Sequence, residues 1–216
     1  MPHAMAIASS ADDIGLPAAA VEQAAHVLQQ HVDNESIHGA VLGIARCGVL
    51  HTIPFGTSPP ANDNNPPTTG LRDSLPIAND SIFLVASVTK PVTATAVLQL
   101  VEGGQLTLDT PVCSIIPEFT GDGREAVTIR HLLTHTSGLP DGIPENQEFR
   151  RRHAPLTEFT SRMLSLGLLF EPGSSISYQS AGINLLGEIV HRISGLPLPV
   201  YLQQHIFRPL GMQDTT

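Results

Sequence analysis

A chain of 216 residues with 41% apolar content can build one large domain or two small ones around a packed core. Its 18 glycines and 18 prolines stay below the range of low-complexity disorder and are read as turns. A net charge of −9 argues against a nucleic-acid partner, because phosphate binding needs a basic surface. The one locally basic stretch, Glu148-Phe-Arg150-Arg151-Arg152-His153, is read as a solvated helix face. No apolar run is long enough to span a bilayer, so no membrane partner is expected.

The N-terminal Met1-Pro-His-Ala-Met-Ala-Ile-Ala-Ser-Ser10 has no basic region and too short an apolar stretch for a secretory leader, so the default expectation is cytoplasmic, with export of a longer form left open. Val21, Ala24, Ala25, Leu28 and Val32 recur at helical spacing and predict an amphipathic helix ending near Asp33-Asn34. Two short apolar runs, 39–46 and 49–55, flank Cys47-Gly48 and predict a β-hairpin. Residues 57–76, rich in Pro, Asn, Asp and Thr and without hydrophobic period, are expected to form an exposed loop.

Phe83-Leu-Val-Ala-Ser87-Val-Thr-Lys90-Pro91 then runs into an apolar stretch, 92–101, of helical length. Pro91 has no N–H to donate and fits only the first turn, which places the helix start close to Ser87 and its end at Gly103-Gly104. A hydroxyl and an amine three positions apart share a helix face, so Ser87 and Lys90 form a candidate nucleophile and base. The Ser87 N–H also sits among first-turn amides that favour an oxyanion.

Further along, Thr128 is the expected N-cap of a helix over 129–134. His131 and His135 stand four apart, but no Glu follows the first and no third ligand is near, so they are read as structural and no metal is expected. Cys47 and Cys113 match no metal or redox spacing and leave a single disulfide open. The Pro172-Gly173 turn delivers Tyr178-Gln-Ser180 to the start of a helix marked by Ile183, Leu186, Ile189, Val190 and Ile193 and closed by Gly195. A last helical pattern covers 200–206. No internal repeat and no Gly-x-Ser-x-Gly elbow is present.

Ser87-Val-Thr-Lys90, followed about ninety residues later by Tyr178-Gln-Ser180, resembles the serine β-lactamase-related family, which includes class C-type β-lactamases, D-alanyl-D-alanine carboxypeptidases and β-lactamase-like esterases. Leu106-Thr-Leu-Asp109, the run Ile129-Arg-His-Leu-Leu-Thr-His-Thr-Ser-Gly-Leu139, Pro172-Gly173 and Phe207-Arg-Pro-Leu-Gly-Met-Gln-Asp-Thr215 occur in the family's order. The resemblance implies an α+β fold of the β-lactamase/transpeptidase type. Residues 16–86 would be the N-terminal part of the sheet domain, and residues 87–216 a helical domain carrying both motifs.

It also implies catalysis without a cofactor, through an acyl-enzyme on a small-molecule ester or amide, with a β-lactam or a D-Ala peptide among the substrates it allows. Ser87 would be acylated. Lys90 would be its base, a role open to a lysine amine where burial or a second cation favours the neutral form. Tyr178 would carry protons between Ser87, the leaving group and water. Where the family reads Tyr-x-Asn this chain has Ser180, a substrate-binding position with only a hydroxyl to offer, which favours esters over β-lactams. The family's third motif, Lys-Thr-Gly or His-x-Gly on a later strand, would fall beyond Thr216. The expectation is therefore a fragment or truncated member, its sheet reduced to a two-stranded ribbon and its active site incomplete. The competing expectation is a catalytically silent homologue that binds or scaffolds, or that a second chain completes.

Overall fold

The computed structural model describes residues 6–8, 10–59 and 74–216. The chain has an α+β fold and divides between Leu84 and Val85 into two compact units. The expected boundary at 86/87 lies two residues away.

In the first unit, helix α1 (Ala18–Asp33) packs on the antiparallel pair β2 (Gly39–Arg46) and β3 (Val49–Gly56). The inward stripe of α1 is Val21, buried, with Ala25, Leu28 and Val32 half-buried, while Ala24 of the expected stripe is exposed. The hairpin turn is the expected Cys47-Gly48. Both residues have positive φ, 51° and 79°, the two-residue geometry whose twist matches that of the flanking strands. The ribbon is not two-stranded, however. A short strand β1 (Ala6–Ile7) pairs parallel with β3, giving the order β1-β3-β2. Two residues are too few to show an alternating pattern, and so β1 leaves no signal in the sequence.

Of the expected loop over 57–76, residues 60–73 lie outside the described residues. Its base is closed by a Thr57–Pro76 bridge and by the Ser58 N–H donating to the Leu75 carbonyl at 2.7 Å.

The second unit is helical. A tight 3₁₀ turn at Ala86–Val88 leads into α2 (Thr89–Glu102), and α3 (Ile129–Leu133), α4 (Asn146–Arg151), α5 (Leu156–Met163), α6 (Ala181–Ser194), α7 (Leu198–Leu202) and α8 (Arg208–Leu210) follow. The apolar period of α6 places Leu185, Leu186, Ile189 and Val190 wholly inside, and this helix packs against α2, α3, α5 and α7. Ala96, Val97 and Leu100 of α2 close the core from the other side. Pro91 sits in the first turn of α2, as its missing N–H requires, and Gly195 ends α6 in the left-handed region at φ 74°. The expected final helix over 200–206 is interrupted. α7 passes through a wide π turn at Gln203–Phe207 before α8, an irregularity that apolar periodicity does not encode.

Both cysteines are free. The basic stretch forms part of α4. Arg150 donates to Asn146 on the same helix, and Arg152 pairs with Glu158 and lies over the Phe149 ring. No helix among the described residues is long and apolar enough to cross a membrane.

One loop of this unit is tied down by a carboxylate. Glu125 accepts from the Thr120 hydroxyl and the Gly121 N–H, each at 2.7 Å, and these bonds hold its carboxyl at about 2 against an ordinary 4.5. A depressed folded value stabilises the fold above the ordinary value, and that contribution fades as pH falls through the folded one. Glu125→Gln is expected to lower the urea midpoint at pH 7, by an amount that narrows steadily as the pH is taken from 4.5 towards 2. A gap of constant size across that range would contradict the assignment.

Candidate active site

Ser87, Lys90 and Tyr178, separated by up to 91 positions, meet in the second unit. Lys90 Nζ donates to Ser87 Oγ at 3.1 Å, and Tyr178 OH donates to the same oxygen at 2.9 Å. Lys90 Nζ also stands over the Tyr178 ring, 4.9 Å from its centroid. The first contact follows from the helical spacing of the pair, since Ser87 lies in the 3₁₀ turn that becomes α2. Directly before it, Ala86 has φ 45°. A left-handed alanine costs about 1–2 kcal/mol, so the turn that presents Ser87 is held against a local preference.

Tyr178 is delivered from the other side of the unit. The segment before α6 is tied to the loop after α3: the Gly173 N–H donates to Thr136 O at 2.8 Å and the Ser177 N–H to His135 O at 3.0 Å. Gly138 lets these segments meet. Its φ is 84°, and a Cβ there would stand 2.3 Å from the Phe170 carbonyl oxygen. Gln179, between Tyr178 and Ser180, points inward and is fully buried, donating to Ser137 Oγ at 3.3 Å and accepting from the Gly182 N–H. An alternating pattern, out at Tyr178, in at Gln179, out at Ser180, thus underlies the motif.

Tyr178 remains 54% exposed. Its hydrogen bonding with Lys90, then with Ser87, and the positive charge of Lys90 hold the phenol below its ordinary value, against partial desolvation and the charge of Asp141. A phenol so placed gives up its proton more readily than in water, which suits a group that passes protons at a serine hydroxyl.

Ser180 is not turned toward Ser87 by any hydrogen bond. Its N–H and its hydroxyl both donate to Asp141 Oδ1, at 2.8 and 2.9 Å, and the Asp141 carbonyl accepts from the N–H groups of Ser180 and Ala181. The pair forms the start of α6. Asp141 and Ser180 also border a cavity of about 350 Å³ with Ile143, Asn146, Phe159 and Met163.

The two histidines part company. His131 completes a capping box with Thr128: its N–H donates to the Thr128 hydroxyl and its Nδ1 accepts from the Thr128 N–H. His135 lies beyond the end of α3 in the left-handed region, φ 60°, so the two no longer share a helix face. Its ring lies against Tyr178, with centroids 4.8 Å apart. Sequence spacing, which grouped it with His131 as structural, gave no sign of this contact. The signal available was its place in the same loop motif as Ser137 and Gly138.

The family model described as Beta-lactamase matches residues 24–216. Over 163 residues the chain is 42% identical to esterase EstB of Burkholderia gladioli, a match covering 67% of this chain and 41% of that protein. Among solved structures it resembles the octameric penicillin-binding protein homologue from Pyrococcus abyssi, 26% identical with a TM-score of 0.74, over 89% of this chain and 43% of that one. It also resembles a D-amino acid amidase from Ochrobactrum anthropi, 27% identical with a TM-score of 0.70, over 87% and 49%. The chain spans about two fifths to a half of these proteins.

Proposed function

Since this chain belongs to the beta-lactamase family, we propose that it encodes the nucleophilic centre of a serine hydrolase that cleaves esters or small amides through a covalent acyl-enzyme on Ser87. The observation that carries this reading is the convergence of Lys90 Nζ and Tyr178 OH on one serine oxygen. Both donate to Oγ. When either gives up its proton the same contact reverses, and the Ser87 hydroxyl donates as it attacks the substrate carbonyl. The tetrahedral oxyanion takes the Ser87 N–H, and Tyr178 returns the proton to the leaving alcohol or amine. Water then attacks the acyl carbonyl as the same pair takes its proton, the Ser87 Oγ–carbon bond breaks, and that proton returns to Oγ as the acid leaves.

The substrate class rests on Ser180 and on the relatives. Ser180 spends its hydroxyl on Asp141 and brings no side-chain amide to a substrate amide. Short esters are therefore the preferred substrates, in keeping with the esterase among the relatives, and small amides come second, in keeping with the amidase. Hydrolysis of a short p-nitrophenyl ester by the wild-type chain, lost in Ser87→Ala and faster than turnover of nitrocefin, is the expected result. Equal ester hydrolysis by both chains would overturn the reading, and a clear preference for nitrocefin would overturn its Ser180 component.

A second reading is favoured by a separate observation. Val88, next to Ser87, is 62% exposed, and Ile176, two positions before Tyr178, is 78% exposed. Such a surface around a catalytic serine supports a chain that holds substrate without turnover, or one that is completed by further polypeptide.

A further inference from the structure

We propose that His135 is the positioning residue of this site, fixing the Tyr178 hydroxyl on Ser87 by gripping the backbone on both sides of the tyrosine and packing on its ring. The inference rests on the reading of Tyr178 as the group that carries protons at Ser87.

Three contacts converge. The His135 carbonyl accepts from the Ser177 N–H at 3.0 Å, and the His135 ring nitrogen Nδ1 accepts from the Gln179 N–H at 3.4 Å. These are the amides immediately before and after Tyr178. The imidazole and phenol rings themselves lie 4.8 Å apart, tilted by 40°. One residue thus constrains the backbone at both neighbours of Tyr178 and limits the swing of its ring, leaving the hydroxyl 2.9 Å from Ser87 Oγ. The placement is itself costly, because His135 is held at φ 60°, where a residue other than glycine is disfavoured. Strain of this kind persists when surrounding contacts over-determine it, and it gathers at functional sites. His131, four positions earlier, lies in α3 and spends its N–H and its Nδ1 on the Thr128 cap, so it anchors the start of that helix rather than Tyr178.

The backbone and the ring of His135 divide the work. Its carbonyl bond survives any side-chain change, so the backbone loop should remain. Loss of the ring removes the Gln179 contact and the packing surface together, and the Tyr178 side chain gains freedom to leave Ser87 and Lys90. His135→Asn keeps a residue that tolerates the left-handed region and offers a new oxygen acceptor near the Gln179 N–H, while removing the ring.

The chain has two tyrosines, so ¹³Cζ-tyrosine NMR resolves Tyr178 from Tyr201 once Tyr178→Phe has assigned the signals. In His135→Ala, the Tyr178 titration midpoint is expected to rise toward the ordinary phenol value of about 10. Labelling of Ser87 by a fluorophosphonate should slow by about tenfold to a hundredfold, with the half-saturating probe concentration unchanged. His135→Asn should show the same upward midpoint with the wild-type melting temperature, which separates positioning from folding. An unchanged Tyr178 midpoint in folded His135→Asn would overturn the proposal. If the wild-type chain takes no label at all, the hydrolase reading fails, and the NMR midpoint still decides whether His135 positions Tyr178.

Discussion

Replacing Tyr178 with phenylalanine is expected to slow acylation of Ser87 by about 10²–10⁴-fold, the range over which a positioned proton carrier acts. The fold should not change, because the hydroxyl is the only group removed and the ring is 54% exposed. The effect should fall on the chemical step. Tyr178 OH touches Ser87 Oγ at 2.9 Å and so acts on proton transfer, whereas the probe concentration at half-maximal rate reports binding and should move little. A companion change, Lys90→Met, should give a loss of similar size, and the double variant little more than either alone, because the two groups converge on one oxygen and act as a unit. The check is the rate of adduct formation with a fluorophosphonate across the three variants. Two single losses that add in full would mean that the groups work independently, against the geometry.

The second large effect is on stability. Leu186→Ala should cost the helical unit about 2–5 kcal/mol, the range for truncating a fully buried leucine. Leu186 has no exposed surface, and α6 is the helix against which α2, α3, α5 and α7 all pack, so the space it leaves has few ways to collapse. Urea unfolding checks this. The midpoint should fall sharply with little change in slope, and because α6 begins three residues after Tyr178, the same variant should also weaken labelling of Ser87 as the unit loosens. A loss under about 1 kcal/mol would show that the core around α6 is less closely packed than its burial implies.

Much of this was legible in the residues. Pro91 marked a helix start because it has no N–H to donate, and Gly104 and Gly195 marked helix ends because glycine takes the left-handed region, here at φ 69° and 74°, without strain. Cys47-Gly48 marked the hairpin turn for a related reason, since a two-residue connection needs positive φ at both positions. Ser87 and Lys90 could be paired by spacing alone. Tyr178 could not. It lies 91 positions from Ser87, and only the family resemblance joined it to the pair.

What stayed hidden was tertiary or too short to leave a period. Strand β1 has two residues, and the π turn at Gln203–Phe207 contains no proline or glycine of its own, Pro209 coming only after it. Helix α5 was not anticipated, its apolar face being set by Phe159 and Met163 within eight residues of mixed character. His135 shows the same limit at the site. Its spacing from His131 invited a helical reading, but α3 ends at Leu133 and the backbone turns left-handed, which carries the imidazole to Tyr178 instead. Ser180 follows the tyrosine by two positions, and its bond to Asp141 depends on a loop 39 positions away.

Ser87 acts here as a nucleophile activated by Lys90 and Tyr178. Intact-mass analysis after incubation with a fluorophosphonate, followed by peptide mapping, tests it most directly. The expected result is one adduct per chain, located on Ser87 and absent from Ser87→Ala. Folded protein that carries no adduct, beside a full-length relative labelled in parallel, would contradict it.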